Sequence, residues 1–254
     1  MAADRPGLTR VEHVMGTAIE LDLADDLPPA RLAELADRTF DWLREVDARF
    51  STYRDDSEVC RLDRGVLRLA DASADLRLVL QRCADLWAAT DGWFDAYATG
   101  RLDPSGYVKG WSAQVASDRL VAAGAPNHCL NAGGDVVVRG LSPTGGPWRI
   151  GVRHPDDWAS VCLVLAGSDL AVATSGVHHR GHHVIDPRRG VPARGLRLVT
   201  VVGPDLGYAD AYATAALAMG EPGVRWLDRL DGHLHAVVTD DDRLLHSTHL
   251  PLVD

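Results

Sequence analysis

Residues 197–220 read RLVTVVGPDLGYADAYATAALAMG and contain both kinds of element that decide the fold. RLVTVVG is a short apolar run rich in β-branched residues, which predicts a strand. ADAYATAALAMG predicts a helix directly after it. Four runs upstream share the character of the first: VVVRG, WRIGV, VCLVLAG and LAVAT. Downstream, VRWLDRL predicts another helix, and HAVVTD with RLLHST predicts a closing hairpin.

The first half of the chain predicts three helices. One opens at Pro28 and Pro29, where proline suits a first turn, and runs to about Phe50. A second runs from a capping serine to residue 89, and its apolar face includes Trp87. A third starts near Gly110 and ends before residue 124. Helices on a largely antiparallel sheet make an α+β fold, and no composition shift divides residues 1–254 into separate domains.

Charge and composition exclude several classes of function. The chain has 254 residues, of which 46% are hydrophobic, and a formal net charge of −10. This length and composition can bury one sizeable core. An acidic chain repels nucleic acid and anionic lipid, so we expect no nucleic-acid or membrane partner. A small polyanionic ligand remains compatible, because a metal ion and local dipoles can outweigh net charge.

The cysteines and the N-terminal sequence predict a cytoplasmic protein. Cys60, Cys83, Cys129 and Cys162 are far apart and form no C-x-x-C pair, which favours reduced thiols over disulfides or a zinc knuckle. The N-terminal segment has no apolar core or small-residue cleavage site, so no signal peptide is expected. No apolar run reaches the roughly 18 residues that a membrane helix needs.

Lys109 is the only lysine among the 26 basic residues. In a chain that otherwise uses arginine, it indicates a position where a compact ammonium group is required. Gly106 and Gly110 on either side would let backbone approach a ligand, and a helix N-terminus attracts phosphate. A tight turn with an exposed lysine explains the residues equally well.

Asp210 and Thr214 stand four residues apart in the predicted helix after the strand RLVTVVG. On a helix they share one face, one turn apart. A carboxylate and a hydroxyl, completed by backbone carbonyls or waters, form a hard oxygen site suited to Mg²⁺. A capping aspartate and a buried threonine bonded to its own helix are the commoner meaning of such a pair.

Histidines cluster in the segment TSGVHHRGHHVIDPRRGVP, residues 174–192. Zinc binding is disfavoured, because no cysteine lies nearby and Gly181 opposes a helix that would align the rings. His183 precedes the short predicted strand Val184–Asp186 and is placed to act as a general base; a solvent-exposed loop histidine is the alternative. A plain turn explains NAGGD, residues 131–135, nearly as well as a functional motif does.

Taken in order, nine stretches resemble the ApbE family, the FAD:protein FMN transferases. They run from about residue 15 to 220: MGT, STY, TDGWFD, LDPSGYVKGW, NAGGDV, WRIGV, ATSG, HVIDP-x-x-G-x-P and ADAYATA. The resemblance implies an ApbE-like, T-fold-related α+β fold. It also implies Mg²⁺-dependent transfer of FMN from FAD to a Thr or Ser hydroxyl of a target flavoprotein, with release of AMP.

The resemblance also implies residue roles. His183 matches the proposed base, and the Gly106 carbonyl, Asp210 and Thr214 match the magnesium ligands. The positions that match FAD contacts are Met15, Tyr53, Trp93, Phe94, Asp95, Asp103, Lys109 and Ile185. Asp135 and Asp186 receive no chemical step.

The chain departs from the family pattern between Asp95 and Asp103, where many members carry a longer insertion. Contacts that this loop makes to the isoalloxazine ring are therefore not carried over to this chain. Three alternatives stay open: a Mg²⁺-dependent pyrophosphatase that splits FAD into FMN and AMP, a non-catalytic FAD-binding protein, and a purely structural domain.

Overall fold

The computed structural model describes residues 7–157, 159–177 and 184–253. Within them, one antiparallel eight-stranded sheet organises the molecule in the order β1-β2-β3-β4-β7-β10-β11-β12. These strands are β1 (Leu8–Val14), β2 (Thr17–Leu23), β3 (His128–Ala132), β4 (Asp135–Arg139), β7 (Leu170–Gly176), β10 (Leu196–Gly203), β11 (Leu234–Thr239) and β12 (Leu244–His246). Two two-stranded sheets accompany it: β5 (Trp148–Arg153) with β6 (Val161–Gly167), and β8 (Ile185–Asp186) with β9 (Val191–Pro192).

Helices cover one face of the main sheet. They are α1 (Pro29–Phe50), α2 (Glu58–Asp63), α3 (Ala74–Ala89), α4 (Ser105–Ala122), α5 (Leu206–Met219) and α6 (Glu221–Leu227). The β5–β6 hairpin builds a second apolar cluster with side chains of the main strands. Val137 of β4 belongs to the helix-side core, whereas its neighbours Val136 and Val138 belong to the second cluster. Burial on both faces explains why these strands are continuous apolar runs.

The α+β prediction and most predicted elements are confirmed. The helix that opens at Pro28 begins and ends as expected, and the 73–89 helix has Ser73 as its N-cap, accepting the Leu76 N–H at 3.2 Å. The closing hairpin pairs β11 with β12. All four cysteines are free. Of the helices that the structure describes, none has the length and apolarity to cross a membrane.

Two predictions about local structure were wrong, and the first hairpin was not predicted. The third helix begins at Ser105 rather than near Gly110, because its two glycines pack against a neighbouring helix instead of marking a turn. Trp87 is half exposed and does not belong to the apolar face of α3. The β1–β2 hairpin was not predicted; its strands place alternate residues on the buried face.

Helices α4 and α5 approach each other closely at two glycines. A methyl group on Gly110 would stand 2.4 Å from the Leu206 carbonyl oxygen, and one on Gly207 would stand 2.9 Å from the Tyr107 ring and 3.2 Å from the Trp111 backbone. Both glycines are buried. A larger residue at either position would force the two helices apart.

We predict that Gly110→Ala destabilises the protein although alanine favours helix. The helix-propensity gain is about 1 kcal/mol, whereas overpacking against backbone atoms costs about 1–3 kcal/mol. The free energy of unfolding from urea denaturation should therefore fall by up to about 2 kcal/mol. Gly146→Ala is the matched control, because no heavy atom lies within 4 Å of its added methyl. Equal stability of the two variants would contradict the prediction.

Buried His128 makes the fold sensitive to acid. Its ring contacts the Ser117 hydroxyl at 2.8 Å and the Ala125 carbonyl oxygen at 2.9 Å, and it is fully buried. Burial lowers the pKa of His128 below that of the unfolded chain. The unfolded state therefore takes up the proton first as the pH falls, so this contribution to stability is complete above about pH 6.5 and decreases below it.

We predict that the free energy of unfolding decreases from pH 7 to pH 5 with a measurable part due to His128. His128→Gln removes the titrating group, so its stability curve should be flatter over that range than that of the wild-type protein. Chemical denaturation at each pH measures the two slopes, and His249→Gln at an exposed position is the control. Parallel curves for wild type and His128→Gln would refute the assignment.

Candidate functional site

A cleft of about 710 Å³ opens where the β1–β2 turn, the first turn of α4, the middle of α5 and the ends of β7 and β8 meet. Eleven residues singled out from the sequence line it: Met15, Tyr53, Trp93, Phe94, Asp95, Asp103, Gly106, Lys109, Ile185, Asp210 and Thr214. They come from segments almost 200 residues apart in the chain. The structure brings them together, and their individual roles remain predictions.

The floor of the cleft holds one ammonium group between two carboxylates. Lys109 Nζ is hydrogen-bonded to Asp135 Oδ2 and lies 3.8 Å from Asp210 Oδ2. Asp135 is fully buried, and Asp210 is 4% exposed. Because Lys109 lies inside α4 and not before it, the expectation of a lysine in a loop at a helix N-terminus is wrong. The helix N-terminus at Ser105 and Gly106 itself lines the cleft.

The electrostatics of Asp210 favour a positive charge beside it. Burial, reinforced by the Asp135 carboxylate, raises the pKa of the Asp210 carboxyl; Lys109 and the Gly110 N–H, which donates to Oδ2 at 3.2 Å, act in the opposite direction. With both carboxylates ionised, one ammonium group would leave a net negative charge. A further cation would lower the cost of ionising both groups.

Asp210 and Thr214 share one face of α5, as their spacing predicts. Asp205, not Asp210, caps the helix by accepting the Tyr208 N–H at 3.0 Å, so the capping alternative is wrong. The Thr214 hydroxyl lies 3.2 Å from that of Ser175 at the end of β7. Gly106 of α4 faces it, since a methyl group there would stand 3.6 Å from Thr214 Oγ1.

The β1–β2 turn supplies one wall of the cleft. Met15 has φ 56° and Gly16 has φ 71°, the backbone of a two-residue turn in which both residues are left-handed. This conformation is unfavourable for methionine, and such strain is concentrated at functional sites. The Ser112 hydroxyl of α4 donates to the Lys109 carbonyl oxygen at 2.9 Å, and its oxygen lies 3.8 Å from the Met15 sulfur.

The segment after α3 supplies the opposite wall. Phe94 is buried, and its N–H donates to the Thr90 hydroxyl at 2.9 Å. The guanidinium of Arg188 stacks on the Trp93 ring at 4.3 Å and bonds the Asp91 carboxylate at 2.6 Å. Arg188 was not expected from the sequence. The contact joins the loop after β8 to the loop after α3, which are far apart in sequence.

Two further aspartates of the cleft also shape its backbone. Asp95 accepts the Tyr97 N–H at 2.7 Å, and Asp103 accepts the Ser105 N–H at 3.0 Å at the start of α4. Asp186, which received no role, accepts the N–H groups of the turn after β8. Tyr53 is 97% exposed at the cleft mouth, where it has space to cover a bound ligand.

His183, the predicted base, lies outside the described residues together with His178, His179 and His182. Val184 and Ile185, the next residues of the chain, line the cleft. Among the residues that the structure describes, no three His, Cys, Asp or Glu side chains gather as a metal-binding group. The oxygen site predicted from Asp210, Thr214 and a backbone carbonyl differs from such a group, because it contains a single acidic side chain.

The fold is that of the ApbE flavin transferases. The crystal structure of the ApbE protein from Thermotoga maritima superposes with a TM-score of 0.86 at 20% identity, covering 96% of this chain and 97% of that one. The flavin transferase ApbE from Vibrio cholerae superposes with a TM-score of 0.82 at 24% identity, covering 96% and 98%. The ApbE family model matches residues 15–100 and 96–238, and the chain belongs to this family.

Curated relatives carry the name FAD:protein FMN transferase. The Vibrio cholerae protein is 35% identical over 130 residues, or 47% of this chain, and the Rhodobacter capsulatus protein is 37% identical over 129 residues, or 48%. These matches span only 39% and 24% of the two relatives. The Haemophilus influenzae protein matches over 82% of this chain and 79% of its own length, at 23% identity.

We predict that Arg188→Ala loosens the Trp93 wall. The variant loses a cation–π contact and an exposed ion pair, together worth about 1 kcal/mol, so local opening should become several-fold more frequent. Hydrogen–deuterium exchange of a peptide covering residues 91–95 measures this. Arg189→Ala is the control, because Arg189 is largely exposed and its 3.7 Å ion pair is with Asp186. Unchanged exchange in Arg188→Ala would contradict the role.

Proposed function

We propose that this protein is a Mg²⁺-dependent FAD:protein FMN transferase. It moves FMN from FAD to a Thr or Ser hydroxyl of a target flavoprotein and releases AMP. The observation that carries the proposal is the cleft in which Asp210, Thr214, Gly106 and Lys109 converge. Family membership and the names of the curated relatives support it.

The cation would be held by the Asp210 carboxylate, the Thr214 hydroxyl and the Gly106 carbonyl. These are hard oxygen donors, the type that Mg²⁺ prefers. When bound, Mg²⁺ neutralises charge on phosphate oxygens and supports the charge that develops on the leaving group. The raised pKa of Asp210 is compatible with this assignment, because its causes are burial and the neighbouring Asp135 carboxylate, and a bound cation would oppose both.

The charge balance of the cleft supports a requirement for a cation in FAD binding. Asp47, Asp95, Asp103 and Asp210 line it, against Arg54 and Lys109. A diphosphate entering this cleft meets an excess of negative charge, and its binding depends on positive charge placed at the phosphates. Lys109 and the N-terminus of α4 provide the protein's share of that charge.

The flavin and adenosine parts of FAD would occupy the walls. Met15, Trp93, Phe94 and Ile185 offer apolar surface. Tyr53 at the mouth would cover the ligand, and Asp95 and Asp103 offer carboxylate oxygens that accept hydrogen bonds. Three aromatic rings and a methionine suit a planar ring system.

The transfer step breaks the phosphoanhydride bond of FAD and forms a new phosphoester bond. The acceptor oxygen forms a bond to the FMN phosphorus, the bond from that phosphorus to the AMP oxygen breaks, and AMP leaves with the electron pair. The hydroxyl proton passes to a base, for which His183 remains our candidate, with an expected contribution of about 10²- to 10⁴-fold.

The four free cysteines fit a reducing compartment, so we place the protein in the cytoplasm.

We predict that Asp210→Ala abolishes transfer. Incubation of the protein with FAD, Mg²⁺ and a candidate acceptor flavoprotein should give a covalent mass gain equal to FMN, read by mass spectrometry. Loss of the only acidic cation ligand should lower the rate more than about 100-fold. Asp231→Ala is the control, since Asp231 is exposed and outside the cleft lining.

Other outcomes of the same assay distinguish the alternatives. AMP formed without any acceptor, at the rate seen with one, would identify a pyrophosphatase. Intact FAD retained with no AMP after Mg²⁺ addition would identify a binding protein. Normal transfer by Asp210→Ala would show that the cation site is wrongly placed.

A further inference from the structure

Asp135 lies behind the cleft and holds Lys109. It is fully buried, and its Oδ2 accepts the Lys109 ammonium group. It does not line the cleft itself. Lys109 therefore has two buried carboxylates within reach, the bonded Asp135 and the Asp210 oxygen 3.8 Å away.

The Asp135 carboxylate is fixed from several directions. Its second oxygen, Oδ1, accepts the Thr174 N–H of β7 at 2.9 Å. Asp135 is also the first residue of β4, directly after Gly133 and Gly134, which have φ 64° and 102°. Both oxygens and the backbone are thus held, and the ammonium position follows from them.

We propose that Asp135 is a positioning residue that holds the Lys109 ammonium away from Asp210 and so keeps the Asp210 carboxylate available to a divalent cation. The inference rests on the cation site of the proposed function. An ammonium group that is largely removed from water, as that of Lys109 is, favours a nearby counter-charge, because its desolvation is otherwise uncompensated. Without the charge of Asp135, Asp210 is the nearest carboxylate shown to contact Lys109, and the lysine would compete there with the cation.

Asp135→Asn tests the charge of this residue with little change in its shape. Its amide oxygen still accepts the Thr174 N–H, whereas the negative charge is lost. We expect this variant to bind Mn²⁺ about tenfold more weakly than the wild type, because Lys109 now pairs with Asp210. Adding Lys109→Met removes the competitor, so the double variant should return to within about threefold of the wild-type affinity.

The measurement is Mn²⁺ binding without nucleotide, followed by loss of the free-ion electron paramagnetic resonance signal. Omitting nucleotide keeps any contact between Lys109 and phosphate out of the result. Lys109→Met alone should bind Mn²⁺ at least as tightly as the wild type. If circular dichroism shows that Asp135→Asn is unfolded, Lys109→Met alone still tests the inference. Weaker Mn²⁺ binding by Lys109→Met would mean that Lys109 helps to orient Asp210 for the cation and does not compete with it.

Three results would overturn the inference: wild-type affinity in Asp135→Asn, no recovery in the double variant, or weaker binding in Lys109→Met. Asp210→Asn tests the site itself. If it binds Mn²⁺ as well as the wild type, the cation site of the proposed function fails, and this inference fails with it. If Mn²⁺ binds as expected but no flavin is transferred, the proposed activity fails while the role of Asp135 stands.

Discussion

The close approach of α4 to α5 at Gly110 and Gly207 is the constraint on which the site depends. Because neither glycine has a side chain, the helices come near enough for the Gly110 N–H to bond the Asp210 carboxylate at 3.2 Å. The same approach sets Gly106 against Thr214. Wider separation would leave a carboxylate buried without donors and would separate the oxygen atoms proposed to bind a cation.

The sheet determines what lies beneath that helix pair. Strands β4 and β7 are neighbours, so Asp135 at the start of one reaches the Thr174 N–H in the other and bonds Lys109 above them. Burying two carboxylates and most of an ammonium group costs desolvation energy that an apolar core would not incur. Such an arrangement is expected where charge serves binding or chemistry, and here it lies at the floor of the cleft.

Much of the fold could be predicted because its signals are local. The β-branched runs gave β4, β5, β6, β7 and β10, and proline with a 3.6-residue period gave α1. The start of α4 was missed because glycine marks a turn in isolation, whereas in α4 it marks helix contact, which only the neighbouring helix reveals. The β1–β2 hairpin was missed because its strands are mixed in polarity, and Met15 is an unusual residue for a left-handed turn position.

The sequence by itself determined the α+β class, eleven of the residues that line the cleft and, through nine motifs in order, the family. It could not show that Lys109 lies within a helix, that Asp135 is its partner, or that Arg188 holds Trp93. These contacts join residues 26 and 95 positions apart. Local propensity specifies backbone conformation over a few residues, whereas the meeting of distant charges depends on how helices and strands pack, and tertiary structure alone decides that.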